Sequence, residues 1–190
     1  MEGEIREFEG KLLNSIDDFI ENSIKGPQVV NIENYKLIVS EEGGIKKEYK
    51  YDDLINNFDS IKKVITLYCV DGWSVDILWE GILMKDILID SKVKLDYPSI
   101  IFYGIDGYTT SLSKDFVFDN DLFLSYKMNG VILPNERGFP FQLIGEYKWA
   151  YKWIKWINKI ELSNNINFKG YWESRGYSNS ANLNEPFFGR

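Results

Sequence analysis

The chain contains no histidine. That absence removes the Ser-His-Asp triad, the Cys-His dyad, zinc sites with imidazole ligands and histidine-ligated haem. Cysteine occurs once, at Cys69. No intramolecular disulfide, Cys-x-x-Cys redox pair or iron–sulfur cluster held by several cysteines can form. A lone cysteine suits a reducing compartment. No stretch approaches about 18 consecutive apolar residues, so nothing reads as a membrane span. The opening MEGEIREFEG has neither a basic stretch leading into an apolar run nor a twin arginine. The expectation is a cytoplasmic chain. The phosphate-cradling patterns G-x-x-x-x-G-K-[ST] and G-x-G-x-x-G are missing as well.

What is present is a globular composition. The 190 residues are 44% hydrophobic and 16% aromatic, with six tryptophans, enough for one domain with a real core. The net charge is −7, from 22 basic and 29 acidic residues. That disfavours nucleic acid and anionic membranes as partners. The acidic excess lies in the first sixty residues. Residues 136–160 run the other way, with Arg137, Lys148, Lys152, Lys155 and Lys159 against Glu136 and Glu146. Such a stretch is either a solvated face or a surface turned towards a small anion.

Ile5, Phe8, Leu12, Leu13, Ile16, Phe19 and Ile20 recur at helical spacing, which predicts an amphipathic helix over 4–22, ended by Gly26-Pro27. Alternation over 35–40 and 46–51 around Gly43-Gly44 predicts a hairpin, and Asp52 a short helix through Phe58. Val64–Cys69 reads as a buried strand ending at the Asp71-Gly72 turn, with the next strand over 75–79. A short helix is expected over 83–89 and a buried strand over 98–103, followed by the Asp106-Gly107 turn. Asn129-Gly130 between Leu122–Met128 and Val131–Leu133 is the strongest hairpin signal. Phe141–Ile144 reads as a short strand, and residues 147–162 as a helical turn feeding a strand. Strands dominate without βαβ order, so the class is α+β, β-rich with few helices. The expected organisation is an N-terminal amphipathic extension over 1–26, a core domain over 27–178 and an irregular tail over 179–190.

Residue types alone leave the chemistry open. Cys69 closes a strand before a tight turn, where a thiol is either a small buried hydrophobe or a soft ligand for a metal. Trp149, Trp153 and Trp156 are either core or a stacking surface for a sugar or nucleotide. Asp119-Asn120-Asp121 lacks calcium-loop spacing.

Three stretches, in this order, resemble the sulfite-oxidase-type molybdopterin-binding domain. The first is Cys69-Val70-Asp71-Gly72-Trp73-Ser74 with Trp79-Glu80-Gly81 downstream. The second is Asp106-Gly107-Tyr108. The third joins Asn129-Gly130-x-x-Leu133-Pro134, Arg137-Gly138-Phe139-Pro140 and Tyr151-Lys152-Trp153-Ile154-Lys155, and Gly170-Tyr171-Trp172 and Gly176-Tyr177 follow. Within that family the sequence is similar to the minimal, haem-free members, including the catalytic subunit of methionine-sulfoxide reductase.

The resemblance implies a molybdenum–molybdopterin cofactor and two-electron oxygen-atom transfer between oxidation states VI and IV. Cys69 would be the protein's ligand to the metal, and Tyr108 would lie beside it as a hydrogen-bond donor. Gly104, Arg137, Gln142, Trp153, Ile154 and Lys155 would hold the pterin and its phosphate, Lys155 by charge and Trp153 and Ile154 through the backbone. The implied partners are a small-molecule substrate, sulfoxide-like or a small oxyanion, and an electron-transfer partner. Gln142 stands where the family carries an arginine, and no arginines follow Cys69 as they do in sulfite oxidases. The alternative is a non-catalytic binding module on the same fold that has lost the cofactor.

Overall fold

The computed structural model describes residues 1–188. The chain opens with β1 (Glu7–Phe8) and β2 (Lys11–Leu12), then crosses an extended segment to β3 (Leu37–Glu41), β4 (Gly44–Tyr49) and α1 (Tyr51–Asn57). A long hairpin follows, β5 (Ser60–Tyr68) and β6 (Ser74–Leu83), leading into α2 (Met84–Asp90). Next come β7 (Ser99–Gly104), β8 (Thr109–Ser113) and α3 (Lys114–Asp119). The hairpin of β9 (Phe123–Met128) and β10 (Val131–Ile132) precedes β11 (Gln142–Ile144) and β12 (Ile157–Ser163). Short 3₁₀ turns lie at Asn135–Arg137, Ala150–Lys152 and Glu173–Arg175.

Two sheets carry the molecule. One runs β10-β9-β6-β5, with β11 also on β9; the other runs β4-β3-β12-β7-β8, with β12 parallel to β3 and antiparallel to β7. The α+β class follows from these sheets and the short helices between them. Strand β9 is buried on both faces. Leu124 and Tyr126 join the core shared with the second sheet, while Phe123 and Met128 join a second core built on Trp79, Ile77 and Trp153. Two-sided burial is why β9, Phe-Leu-Ser-Tyr-Lys-Met, carries apolar residues on both of its faces rather than on one. Asn129 and Gly130 take φ of 46° and 81°, the conformation a tight two-residue hairpin demands. In β6, a Cβ on Gly81 would meet the Leu124 carbonyl oxygen at 2.1 Å, where the β6–β9 register shifts. Only glycine lets the two strands approach there.

The expected N-terminal helix does not form. Residues 4–22 instead make the β1–β2 hairpin and an extended strap. Leu12 and Ile20 are 78% and 68% exposed, while Ile16 is fully buried, so the helical spacing does not mark one buried face. The backbone turns at Glu9 and Gly10, both at positive φ. Buried Glu4 then fixes the strap: its carboxylate accepts from the Ser15 hydroxyl, the Ile16 N–H (2.9 Å) and the Asn129 amide (3.3 Å). These bonds stabilise the non-helical path. Strand β8 and helix α3 also escaped the sequence reading: the polar Thr109–Ser113 is nonetheless largely buried, because Thr110 and Ser111 donate to Glu173 and to the Phe168 carbonyl. Among the described residues no helix is long and apolar enough to cross a membrane.

Candidate functional site

Cys69 follows the last residue of β5. Its N–H donates to the Trp73 carbonyl (2.9 Å) and its carbonyl accepts from the Gly72 N–H (3.1 Å), so the Asp71-Gly72 turn folds back over the thiol. The residue is only 7% exposed, yet it lines a cavity of about 320 Å³. Two side chains meet its sulfur: Asp71, with a carboxylate oxygen 3.6 Å away, and Asn22 of the strap, with its amide at 3.9 Å. Asn22 also donates to Asp71 at 3.0 Å. Burial pushes the thiol up, the Asp71 N–H pulls it back, and the Asp71 carboxylate adds to the rise. A free thiolate is therefore disfavoured unless a cation binds the sulfur.

The cavity brings together Cys69, Tyr108, Arg137, Gln142, Trp153, Ile154 and Lys155. Gly104 is not in the lining. A Cβ there would meet the Asp106 carboxylate at 2.8 Å and the Lys155 carbonyl at 3.0 Å, so it keeps room for the cavity's backbone. The Gln142 amide donates to the Trp153 carbonyl at 3.4 Å. The Tyr108 phenol donates to the Tyr151 carbonyl at 2.5 Å. Its single proton is thus engaged within the protein, and burial keeps it there by holding the phenol's ionisation well above its usual range.

The strap closes one side of this cavity, and sequence reasoning missed it. Phe19, Ile20, Asn22, Ser23 and Ile24 all line the cavity. The Arg137 guanidinium donates to the Ile16 (2.9 Å) and Phe19 (2.7 Å) carbonyls and lies 3.9 Å from the Phe19 ring centre. Lys155 pairs with Glu21 at 2.5 Å and donates to the Glu136 carbonyl. Burial lowers the Lys155 ammonium, and Glu21 resists that shift. No local motif announces the contacts to the strap, which join residues more than a hundred positions apart. Trp73, Trp172 and Tyr177 complete the aromatic wall.

Several polar atoms around the cavity lack partners. The buried side-chain atoms with no hydrogen bond include Ser23 Oγ, Trp73 Nε1 and Arg137 Nε, all on cavity-lining residues. The backbone N–H groups of Ile154 and Lys155 likewise find no acceptor among the described residues. The buried side-chain donors left open in this way cost free energy unless a ligand accepts from them. Two adjacent N–H groups, a guanidinium and an ammonium make a cradle for an oxyanion such as a pterin phosphate. Among the described residues no three of His, Cys, Asp or Glu converge on a metal. A metal here would take one protein sulfur and its remaining ligands from the cofactor. These residues fit a metal-bearing, phosphorylated pterin.

Comparison with known proteins agrees. A family described as the oxidoreductase molybdopterin binding domain matches residues 24–172. The uncharacterized oxidoreductase YuiH of Bacillus subtilis is 33% identical over 112 residues, 58% of this chain and 56% of that one. The protein-methionine-sulfoxide reductase catalytic subunit MsrP of Ralstonia nicotianae is 28% identical over 141 residues, 65% of this chain and 43% of that one. The chain thus spans about half the length of these curated relatives. Among solved structures, the sulfane dehydrogenase SoxCD of Paracoccus pantotrophus superposes with a TM-score of 0.68 at 19% identity, over 82% of this chain and 43% of that one.

Proposed function

The chain belongs to the oxidoreductase molybdopterin binding domain family, and from that premise we propose that it is an oxygen-atom transferase whose metal is held by Cys69. Molybdopterin with its molybdenum is the family's cofactor. When bound, it supplies two-electron oxygen-atom transfer at the metal. The chain's residues do the rest. Arg137, Lys155 and the Ile154–Lys155 N–H pair hold the phosphate end. Cys69 supplies the ligand sulfur, and the Asp71 turn and Asn22 fix its position.

The substrate we propose is neutral and sulfoxide-like, reduced as R₂S=O + 2e⁻ + 2H⁺ → R₂S + H₂O, with electrons from a donor protein. The observation that carries this is the charge beside the ligand. Arg137 and Lys155 are anchored on the strap and assigned to the phosphate end, with Arg137 Nε left open for it, whereas the charged group against the Cys69 sulfur is Asp71. At an effective dielectric of about 20, a monoanion about 6 Å from that carboxylate meets ~3 kcal/mol of repulsion. Solvent screening of the exposed Asp71 reduces the penalty to about a tenfold bias. Trp73, Trp172 and Tyr177 offer a neutral substrate aromatic contact instead. The open donors around the cavity favour a retained cofactor over a module that has lost it.

Protein produced in a host that makes the cofactor should carry about one molybdenum per chain by elemental analysis. It should also reduce dimethyl sulfoxide with a reduced viologen as donor. Cys69→Ala should abolish that turnover. Molybdenum content and turnover both unaffected by Cys69→Ala would overturn the reading.

A further inference from the structure

The turn after β11 presents side chains to two sides. Tyr151 and Trp153 line the cavity already described, whereas Lys148 lines a second one of about 270 Å³. The second cavity lies along β8, the outermost strand of its sheet. Ser111 and Ser113 of β8 and Ser99 of β7 form one side, and Asn179 and Ser180 of the tail face them. The Thr109 carbonyl accepts from the Tyr171 N–H and the Ser111 carbonyl from the Lys152 ammonium. Alternation along the strand therefore turns the N–H groups of Ser111 and Ser113 to this free edge.

Lys148 is 7% exposed. Its ammonium lies 3.9 Å from the Phe116 ring centre and donates to Asn182 Oδ1 at 2.5 Å. Among the described residues no carboxylate pairs with it. The neighbouring Lys152 pairs with Glu173, and Glu185, whose charge reaches Lys148, is turned onto Ser180 and Asn182. A desolvated ammonium without a counter-ion is costly. Burial accordingly pulls its ionisation down to about 8. Beside it lie the Ser99 and Ser113 hydroxyls and the strand-edge N–H groups of Ser111 and Ser113, donors suited to an anion, while the Ser111 hydroxyl donates to the Phe168 carbonyl and the Ser180 hydroxyl to Glu185; Leu112, Phe116 and Ile166 supply an apolar wall.

We propose that this cavity is a second ligand site, taking a small phosphate-type oxyanion with Lys148 as its counter-ion and the Ser99 hydroxyl and the N–H groups at the edge of β8 as donors. The assignment does not rest on the molybdenum chemistry.

Equilibrium dialysis of the cofactor-loaded protein at constant ionic strength tests it, with inorganic phosphate and phenyl phosphate as probes. Saturable binding with a Kd below about 10 mM is expected, weakened at least tenfold in Lys148→Met. Ser113→Asp places a carboxylate at the mouth of the cavity and can still cap α3, whose Phe116 N–H now donates to the Ser113 hydroxyl. This variant should lose binding even if Lys148→Met fails to fold. Tighter binding of phenyl phosphate would assign the site to an organic phosphate, and equal binding to the free ion. No saturable binding in the native protein, or binding that survives both substitutions, would overturn the proposal.

Discussion

Asp71 is one residue on which the substrate reading turns. Its carboxylate sits 3.6 Å from the Cys69 sulfur, and removing its charge should relax discrimination against anions. Asp71→Asn keeps the Asn22 contact within reach of an amide. In the cofactor-loaded enzyme it is expected to raise kcat/KM for chlorate about tenfold relative to that for dimethyl sulfoxide. Steady-state assays with a viologen donor measure that ratio; an unchanged ratio would remove Asp71 from substrate selection. Gly104 shows how residue-level reading reaches its limit. The resemblance named it as a pterin contact, and the structure places it behind the lining, where a side chain would strike Asp106 and Lys155. A sequence shows that a glycine stands at a position, but not which close approach it serves.

At the scale of elements, the legible pieces were those set by local chemistry. The Asn129-Gly130 turn, the buried β7 and β9, the 84–90 helix and the turn feeding β12 were each predicted within a residue or two. The N-terminal strap was not legible, because its path is fixed by distant partners: Glu4 by Asn129, Phe19 and Ile16 by Arg137, Asn22 by Cys69. Glu4 gives a direct test. Burial opposes its ionisation, but the N-terminal ammonium, Ser15, the Ile16 N–H and Asn129 outweigh it and hold the carboxyl at about 2. Its folded-state value lies below the ordinary one, so its stabilisation is present above about pH 4.5 and is lost as pH falls towards 2. Urea unfolding at pH 7 should show Glu4→Gln destabilised by on the order of 1–2 kcal/mol, with the gap narrowing by pH 3 and closing further at lower pH. The same gap at pH 7 and at pH 2.5 would contradict this role for the carboxylate.

Across the whole molecule, the segment after β12 is tied to the body by a buried ion pair. Lys152 and Glu173 are fully buried and 2.5 Å apart. Lys152 also donates to the Ser111 carbonyl, and Thr110 donates to Glu173. This cluster ties the turn before β12, the edge strand β8 and the segment carrying Trp172 and Tyr177 to one point. Lys152→Met strands a buried carboxylate and should cost about 3–5 kcal/mol in denaturant unfolding, whereas Lys152→Met with Glu173→Leu should recover much of it. Equal losses in the single and double variants would show that the charge pair is not the source. The basic stretch 136–160 is thereby divided in the folded chain. Arg137 and Lys155 line the first cavity, Lys148 lines the second, Lys152 sits in the buried pair and Lys159 pairs with Glu161. The sequence showed the local excess of charge, but the separation of its members depends on how the turns pack.

The central claim is that the cofactor's metal is bonded to Cys69. X-ray absorption at the molybdenum edge of the loaded protein tests it most directly. The native protein should show one sulfur scatterer more than Cys69→Ser, with the light-atom shell gaining the lost position. Identical sulfur shells in the two proteins, with molybdenum bound to both, would contradict the account.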